Sequence, residues 1–474
     1  MSDMLSTLPD SGIRPRRRAR LMMRVLNHHV SVRAIFSRLV EIALLSVVFW
    51  LVGAERLPGS GSALLPALQQ IGITMGLLQA FALYRRHALS AVATAGHLAV
   101  VYLMTGAILI TLSWVGPIAV LPDAVLAETL AVSLVVSFVL RLAMPFVSTA
   151  LLVPVRVLVV GSGSVADEVV AMLRDNDPLE GIDARGSYDP RTGRFTPIAG
   201  TEAREIGLDA LIDAEGIGEV VIASADLRGL SLENLLHFKL AGMLVTDYVS
   251  FLEREKGLLS IDAMRPSWLL FASGFDHGPA RAIAKRVFDV TVSAALLVLL
   301  SPALLLAMLA IRLSRDGPVF YTQERIGAFG RTIVIRKLRS MARNAEHDGV
   351  ARWAGSNDPR VTRVGRIIRA TRIDEIPQLI SVLKGDMSFV GPRPERAVFV
   401  AQLRERIPFY DLRHAIKPGL SGWAQVSYPY GASIEDAKAK LRYDLYYIKN
   451  QSLMLDVLIL LNTVRIVVFG TGAR

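Results

Sequence analysis

Four long apolar stretches, residues 34–54, 63–84, 89–114 and 124–147, occupy the first third of the chain and limit what it can fold into. Each reaches the ~20 residues that a helix needs to cross the hydrocarbon core of a bilayer. Residues 34–150 are therefore read as a four-helix transmembrane bundle. The connection after the second stretch carries Arg85 and Arg86, whereas "LPGSGS" and "GPIAVLPD" carry no positive charge. Cytoplasmic loops keep the excess of Lys and Arg, so the basic tail over residues 1–33, with its "RPRRRAR", is expected inside together with everything after the bundle. That tail stands too far from a short apolar run, and lacks a clear cleavage site, to be a removed leader. Trp50 and Trp114 fall at the expected outer ends, where amphipathic rings settle. Arg141 and Glu128 are costly in lipid and are expected to face the bundle or reach its edge.

The chain has 474 residues, room for two or three domains, and a net charge of +11. With no cysteine there are no disulfides, thiolate zinc sites or thiol nucleophiles, and the histidines form no HExxH pair. A basic excess serves nucleic acid, anionic lipid or a phosphorylated substrate. The apolar content points away from nucleic acid and toward the latter two.

From residue 151 to about 265 the pattern becomes that of a Rossmann-like α/β domain. "LLVPVRVLVV" reads as a buried strand and runs into "GSGSVADEVVAMLRD". Gly161, Gly163 and Ala166 match G-x-G-x-x-G/A at a strand-to-helix turn, and Asp189 stands where an acid could contact a ribose. Two readings stay open: a site for NAD or another nucleotide, or a fold kept for packing or regulation. None of the eleven tyrosines has a lysine four positions later, as a short-chain oxidoreductase would need for its proton relay. "DND" at residues 175–177 resembles a metal-binding D-x-D, but its place after the first helix suits a turn-rich loop.

A fifth apolar run, within residues 284–318, has basic flanks on both sides: Arg281, Lys285 and Arg286 before it, Arg312 and Arg315 after it. Ser301-Pro302 stands at its middle. Proline removes a donor and clashes with the preceding turn, and the serine hydroxyl can satisfy the freed carbonyl. A re-entrant helix over residues 284–313 keeps both flanks cytoplasmic; an ordinary kinked span is the alternative. The C-terminal apolar run carries Asp456, Asn462 and Arg465 and suits a helix at or near the interface better than another span.

"TRIDEIPQL" sets Asp374 beside Glu375. Pro377 fits the first turn of a helix ending near Lys384 with Gly385 as its cap, which puts both acids at a helix N-terminus. Taken alone, that placement reads as capping. Arg366, Arg369 and Arg372 recur every three residues just before, and Arg393 follows in "GPRP". Those arginines could neutralise the acids or meet lipid headgroups. They equally suit transfer at a pyrophosphate, where arginines and a divalent metal offset phosphate charge and a carboxylate attacks phosphorus. Nearby guanidinium groups should keep that carboxylate ionised.

Residues 284–456 resemble the bacterial polyprenyl-phosphate hexose-1-phosphate transferases, the monotopic phosphoglycosyl transferases that start exopolysaccharide, capsule or O-antigen repeat units. The matching stretches are "KRVFDVTVS", the Ser-Pro break, "DGPVFYTQERIG", "RKLRSM", "DPRVTRVGR", "RIDEIPQL", "LKGDMSFVGPRPE" and "KPGLSGWAQV". The resemblance implies the architecture of the large members: four transmembrane helices, a Rossmann-like domain, a linker over residues 266–280 holding "SWLLFASGF", and a mainly helical catalytic domain over residues 281–474. It implies that Asp374 attacks the β-phosphate of a UDP-hexose, that UMP leaves, and that undecaprenyl phosphate takes the phosphosugar, glucose or galactose. Glu375, with Asp374, would hold Mg2+ or Mn2+. Lys337, Arg369 and Arg393 would hold phosphates, and Arg325 and Gln378 complete the implied substrate-binding set.

The implied setting is the bacterial inner membrane, crossed several times, with the Rossmann-like and catalytic domains cytoplasmic, anionic inner-leaflet lipids around them and room for a homodimer. Ser381, Leu338 and Arg372 depart from the family's usual asparagine, phenylalanine and serine or threonine, which touches substrate geometry and leaves the acid pair intact. Two other functions remain: an NAD-dependent nucleotide-sugar epimerase or dehydratase, and a membrane regulator of polysaccharide assembly without catalysis.

Overall fold

A computed structural model describes residues 22–25, 28–53, 64–80, 91–115, 121–151, 154–174, 182–198, 202–224, 231–262, 264, 272, 274–275, 278–314, 317–342, 358–429, 431 and 433–469. Arg85, Arg86, residues 175–177, Arg315, most of the 266–280 linker and the side chains of Trp114 and Arg465 lie outside the described residues.

A short antiparallel hairpin, β1 (Met22–Val25) and β2 (His28–Ser31), leads into four helices: α1 (Val32–Gly53), α2 (Leu64–Ala80), α3 (Ala91–Val115) and α4 (Asp123–Leu151). They occupy the four apolar stretches. Among the described residues, two segments, Thr94–Thr111 and Asp123–Ala143, are each long and apolar enough to cross a membrane. α2 has 17 residues, and α1 carries Arg38 and Glu41 within its 22.

A polar seam ties the four together. Thr129 donates to Gln70 at 3.1 Å, Thr74 to Thr105 at 3.5 Å, and the Tyr102 and Ser137 hydroxyls share a bond of 2.7 Å. Arg141 Nη1 donates to Glu41 Oε1 at 2.6 Å. Of the two placements expected for Arg141, inward or toward the edge, the structure has it inward, and burial in an apolar setting requires that charge to be paired. Glu128 is half-buried and Trp50 exposed.

The next region is a six-stranded sheet in the order β6-β5-β4-β3-β7-β8. In chain order its elements are β3 (Val155–Val160), α5 (Ser164–Arg174), β4 (Ile182–Asp189), β5 (Arg194–Pro197), β6 (Arg204–Glu205), α6 (Leu208–Glu215), β7 (Glu219–Ile222), α7 (Leu232–Leu240), β8 (Leu244–Asp247) and α8 (Tyr248–Lys256). β4, β3, β7 and β8 are parallel, and β5 and β6 add an antiparallel edge. Alternate residues of β3 face opposite ways. Val157 and Val159 join α5 and α8, whereas Leu158 and Val160 join α6 and α7. Covering both faces is what makes "VRVLVV" continuously apolar.

The last third begins with α9 (Pro279–Leu299) and α10 (Ser301–Ser314), bent by 59° at the break between them. Ser301 Oγ donates to the Val298 carbonyl at 2.7 Å. That carbonyl lies four residues before Pro302, so the serine satisfies the acceptor that the missing proline N–H leaves open. Val298, Leu299, Leu305, Leu306, Leu309 and Leu313 remain exposed around the bend.

The basic flank of this helix has a second use that the reading of charge against topology did not include. Lys285 Nζ lies 2.8 Å from Asp289 and 3.0 Å from the fully buried Asp456. Arg286 donates to the Val382 and Leu383 carbonyls at 2.6 and 2.7 Å. These charges anchor the helix pair to the following globular part.

That part comprises the antiparallel hairpin β9 (Phe320–Ile326) and β10 (Thr332–Leu338), α11 (Arg363–Ala370), a 3-10 segment Ile373–Gln378 and α12 (Leu379–Lys384). β11 (Ser388–Val390), α13 (Ala397–Arg406), a 3-10 turn Tyr410–His414, β12 (Gly419–Ser421), α14 (Trp423–Ser427), α15 (Ile434–Asn450) and α16 (Leu453–Phe469) follow. β11 pairs with β12 in parallel. Asp456 in α16 accepts from the Tyr447 hydroxyl at 2.6 Å, and Leu461 packs on the α2–α3 cluster. The C-terminal apolar run thus lies between the α2–α3 pair and the globular part.

The sheet and the last third share one core, in which Val157, Phe251 and Leu259 meet Trp423, Tyr446 and Leu445. Glu168 pairs with Arg442 at 2.7 Å and Glu253 with Lys449 at 2.6 Å.

Candidate active site

Two separate elements converge on Glu375. In β10, Ile333, Ile335 and Lys337 alternate onto the inward face, and Lys337 Nζ reaches Glu375 Oε1 at 2.7 Å. Arg393 Nη2 donates to the same oxygen at 2.7 Å. Arg393 is delivered by a turn with no room to spare. A Cβ on Gly391 would lie 2.5 Å from the Lys417 carbonyl, and the Gly391 N–H already donates to Ser421 at 2.8 Å.

The segment that carries the acids differs from expectation. Asp374 and Glu375 lie inside a 3-10 segment, and α-helix begins only at Leu379. Arg372, with φ 58°, turns the chain left-handed out of α11, and Pro377 has no N–H with which to continue an α ladder. The C-terminal part of the reading holds, since Gly385 caps α12 at φ 95°. Capping does not: among the described residues the 3-10 segment has no side-chain cap bond.

Asp374, Glu375 and Gln378 are 7, 9 and 2 % exposed. Burial opposes charge on Glu375, but Arg393 and Lys337 overcome it and hold its carboxyl well below the usual range. Asp374 goes the other way, pushed up to about 6, first by burial and then by the Glu375 charge, against the pull of Lys337, Arg372 and Arg369. The expectation that arginines keep the aspartate ionised is met only in part, because desolvation outweighs them. Burial lowers the Lys337 ammonium, opposed by Glu375.

The remaining expected residues sort by position. Arg369 is half-buried on α11 and acts on Asp374 through its charge, while Arg366 is exposed. Arg325, near the end of β9, donates to Gln323 at 2.6 Å and to the Pro394 carbonyl at 3.3 Å, and so touches the loop that carries Arg393. The Gln378 amide nitrogen is buried without a hydrogen-bond partner among the described residues. Such an orphan is costly unless something supplies an acceptor. Ser301 and Pro302 make the bend between α9 and α10.

Gly161 and Gly163 do form the β3-to-α5 turn, Ala166 lies in the first turn of α5, and Asp189 ends β4. Gly161, at φ 152°, is required by the fold itself, since a Cβ there would lie 2.3 Å from the Ala223 carbonyl. Gly163 has open space around it, and Ala166 packs in the core. Asp189 accepts from the Arg191 N–H at 3.0 Å within its own turn.

A divalent ion of the Mg2+ type takes oxygen ligands, commonly one or two carboxylates plus substrate phosphates. The two adjacent buried carboxylates fit that pattern. One Glu375 oxygen is already engaged by both cations, which leaves its other oxygen and the Asp374 carboxylate. Sequence reasoning missed the support of Arg393: Arg413 donates to the Arg393 carbonyl at 3.0 Å and to Asp444 at 2.9 Å. The one signal was a charged residue inside the apolar, aromatic "LRYDLYYI".

The family model described as bacterial sugar transferase matches residues 280–470. The UDP-N-acetylgalactosamine-undecaprenyl-phosphate N-acetylgalactosaminephosphotransferase of Aeromonas hydrophila is 42% identical over 271 residues, 56% of this chain and 63% of that protein. The chain thus spans somewhat under two thirds of that relative. The UDP-glucose:undecaprenyl-phosphate glucose-1-phosphate transferase of Escherichia coli (strain K12) is 34% identical over 65% of this chain and 67% of its own length. The exopolysaccharide production protein PSS of Rhizobium leguminosarum bv. phaseoli is 42% identical over 188 residues, 38% of this chain and 94% of that protein. The family match runs from the first turn of α9 through α16 and leaves no part of the cation-bound acid pair outside it. By that measure the chain belongs to the bacterial sugar transferases, the family of undecaprenyl-phosphate sugar-phosphate transferases.

Proposed function

We propose that the chain moves a sugar 1-phosphate from a UDP-sugar to undecaprenyl phosphate in two covalent steps, with Asp374 as the nucleophile. The observation that carries this reading is the division of labour in the acid pair. Glu375 is clamped by Lys337 and Arg393 at 2.7 Å each, while the Asp374 carboxylate beside it accepts no hydrogen bond among the described residues. Relatives named for UDP-glucose or UDP-N-acetylgalactosamine and for undecaprenyl phosphate support the donor and acceptor classes. Glucose is the sugar we favour.

In the first step an Asp374 oxygen attacks the β-phosphorus of the UDP-sugar. The bond from that phosphorus to the bridging oxygen breaks, and UMP departs with the electron pair. In the second, a phosphate oxygen of undecaprenyl phosphate attacks the same phosphorus and displaces the carboxylate, giving undecaprenyl-diphosphate-sugar. Lys337, Arg393 and Arg369 offset the charge that gathers on the equatorial oxygens. A Mg2+ or Mn2+ ion held by Glu375 and Asp374 would neutralise further phosphate charge.

The bent α9–α10 pair, with exposed leucines around its break, supports a helix that enters the membrane and returns. Both basic flanks and the acid pair would then sit on the cytoplasmic face of the inner membrane, where the soluble donor and lipid acceptor meet. Parallel strands with helices on both faces support a Rossmann-like unit after a four-helix bundle.

The test is UMP release from a panel of UDP-sugars with undecaprenyl phosphate, comparing wild type with Asp374→Asn and Glu375→Gln. We expect a radiolabelled phosphosugar to stay on the wild-type protein when acceptor is withheld, and no label on Asp374→Asn. Full turnover by Asp374→Asn would remove the covalent mechanism.

A further inference from the structure

We infer that Arg413, gripped by Asp444, is a positioning residue that fixes the Arg393 main chain and thereby sets the Arg393–Glu375 contact. The inference rests on the transfer reading above and deepens the account of the same site.

Arg413 sits in the 3-10 turn Tyr410–His414 and reaches three acceptors on three elements. Nη1 donates to the Tyr410 hydroxyl at 2.6 Å, and Nη2 donates to Asp444 Oδ2 on α15 at 2.9 Å and to the Arg393 carbonyl at 3.0 Å. Arg413 and Asp444 are 7 and 2 % exposed. A buried guanidinium needs a buried counter-charge, and Asp444 supplies it.

The third contact gives the pair its purpose. Arg393 is held at both ends, its carbonyl by Arg413 and its guanidinium by Glu375. The Arg325 bond to Pro394, and the Ile326 N–H bond to the Glu395 carbonyl at 2.9 Å, steady the next two residues. Without Arg413 that carbonyl would lose its donor, and the reach of Arg393 to Glu375 would no longer be fixed. Lysine cannot replace the fork, because a single ammonium does not present donors in a rigid plane.

The test uses the full chain in detergent or nanodiscs with Arg413→Lys, Asp444→Asn, Arg393→Lys and the double variant Arg393→Lys/Arg413→Lys. We expect Arg413→Lys to lower kcat/KM for the donor by about tenfold or more, and the double variant to be no worse than Arg393→Lys alone, since the two act through one contact. Amide exchange over residues 391–396 should quicken in Arg413→Lys and Asp444→Asn. Losses that multiply in the double variant, or unchanged exchange in that loop, would overturn the inference. If Arg413→Lys fails to fold, Tyr410→Phe removes only one bond, and the same exchange and rate comparison decides. Should wild type release no UMP from any donor, the transfer reading falls while the exchange measurement still judges the clamp.

Discussion

Asp374 and Glu375 are neighbours in sequence and opposites in electrostatics. Lys337 and Arg393 keep Glu375 ionised, whereas burial and that same Glu375 charge push Asp374 up to about 6. A nucleophilic carboxylate must be deprotonated, so turnover should fall as pH drops through about 6, and a pH–rate profile should show that acid limb. Replacing Glu375 by Gln removes the like charge and leaves both cations, so the limb should move to lower pH even as the overall rate falls. A limb that stays in place or moves upward would mean that Glu375 does not set the Asp374 titration. The acid pair and Arg393 stood out in sequence because each lies in a short motif crowded with charge, whereas Lys337 came only through the family resemblance, and both cations were expected on phosphate rather than on Glu375. Arg413 and Asp444 did not stand out, because they are 31 residues apart and neither has a local pattern that names the other.

At the scale of elements, local chemistry explains both successes and misses. The α9–α10 break was legible because Pro302 removes one donor and Ser301 replaces it, a relation confined to five residues. The 3-10 form of the dyad segment was not, because it depends on a left-handed Arg372 that no sequence preference announces. The glycine turn was read correctly as a turn, but the contact between Gly161 and Ala223 joins strands that are far apart in sequence. The bend itself is testable. Pro302→Leu restores an N–H for the Val298 carbonyl and removes the ring, so α9 and α10 can straighten into a single helix long enough to cross a bilayer. A C-terminal tag should then become accessible from the opposite membrane face in part of the population. If tag accessibility stayed as in wild type, the bend would not depend on proline.

Across the whole molecule, the sheet is not an appendage to the transferase region. The 188 residues aligned with the Rhizobium protein cover 94% of it, so a relative manages with far less chain than this one has. Here the additional mass has been built into the same core. Trp423 Nε1 donates to the Gly257 carbonyl at 2.7 Å, Asn450 donates to Glu253 at 2.9 Å, and the Leu259 N–H donates to the Arg442 carbonyl at 3.0 Å. α15 is therefore held from the sheet side along the length that presents Asp444 on its other side. Elements with a continuous apolar core and buried polar links should unfold as one cooperative unit. Phe251 in α8 is fully buried in that shared core, so Phe251→Ala should cost about 3–5 kcal/mol from lost burial and the cavity left behind. The loss should appear equally in α5 and in α15 when hydrogen exchange is followed in denaturant. Protection lost in α5 alone, with α15 unchanged, would show two independent units and would separate the sheet from the support of Arg393.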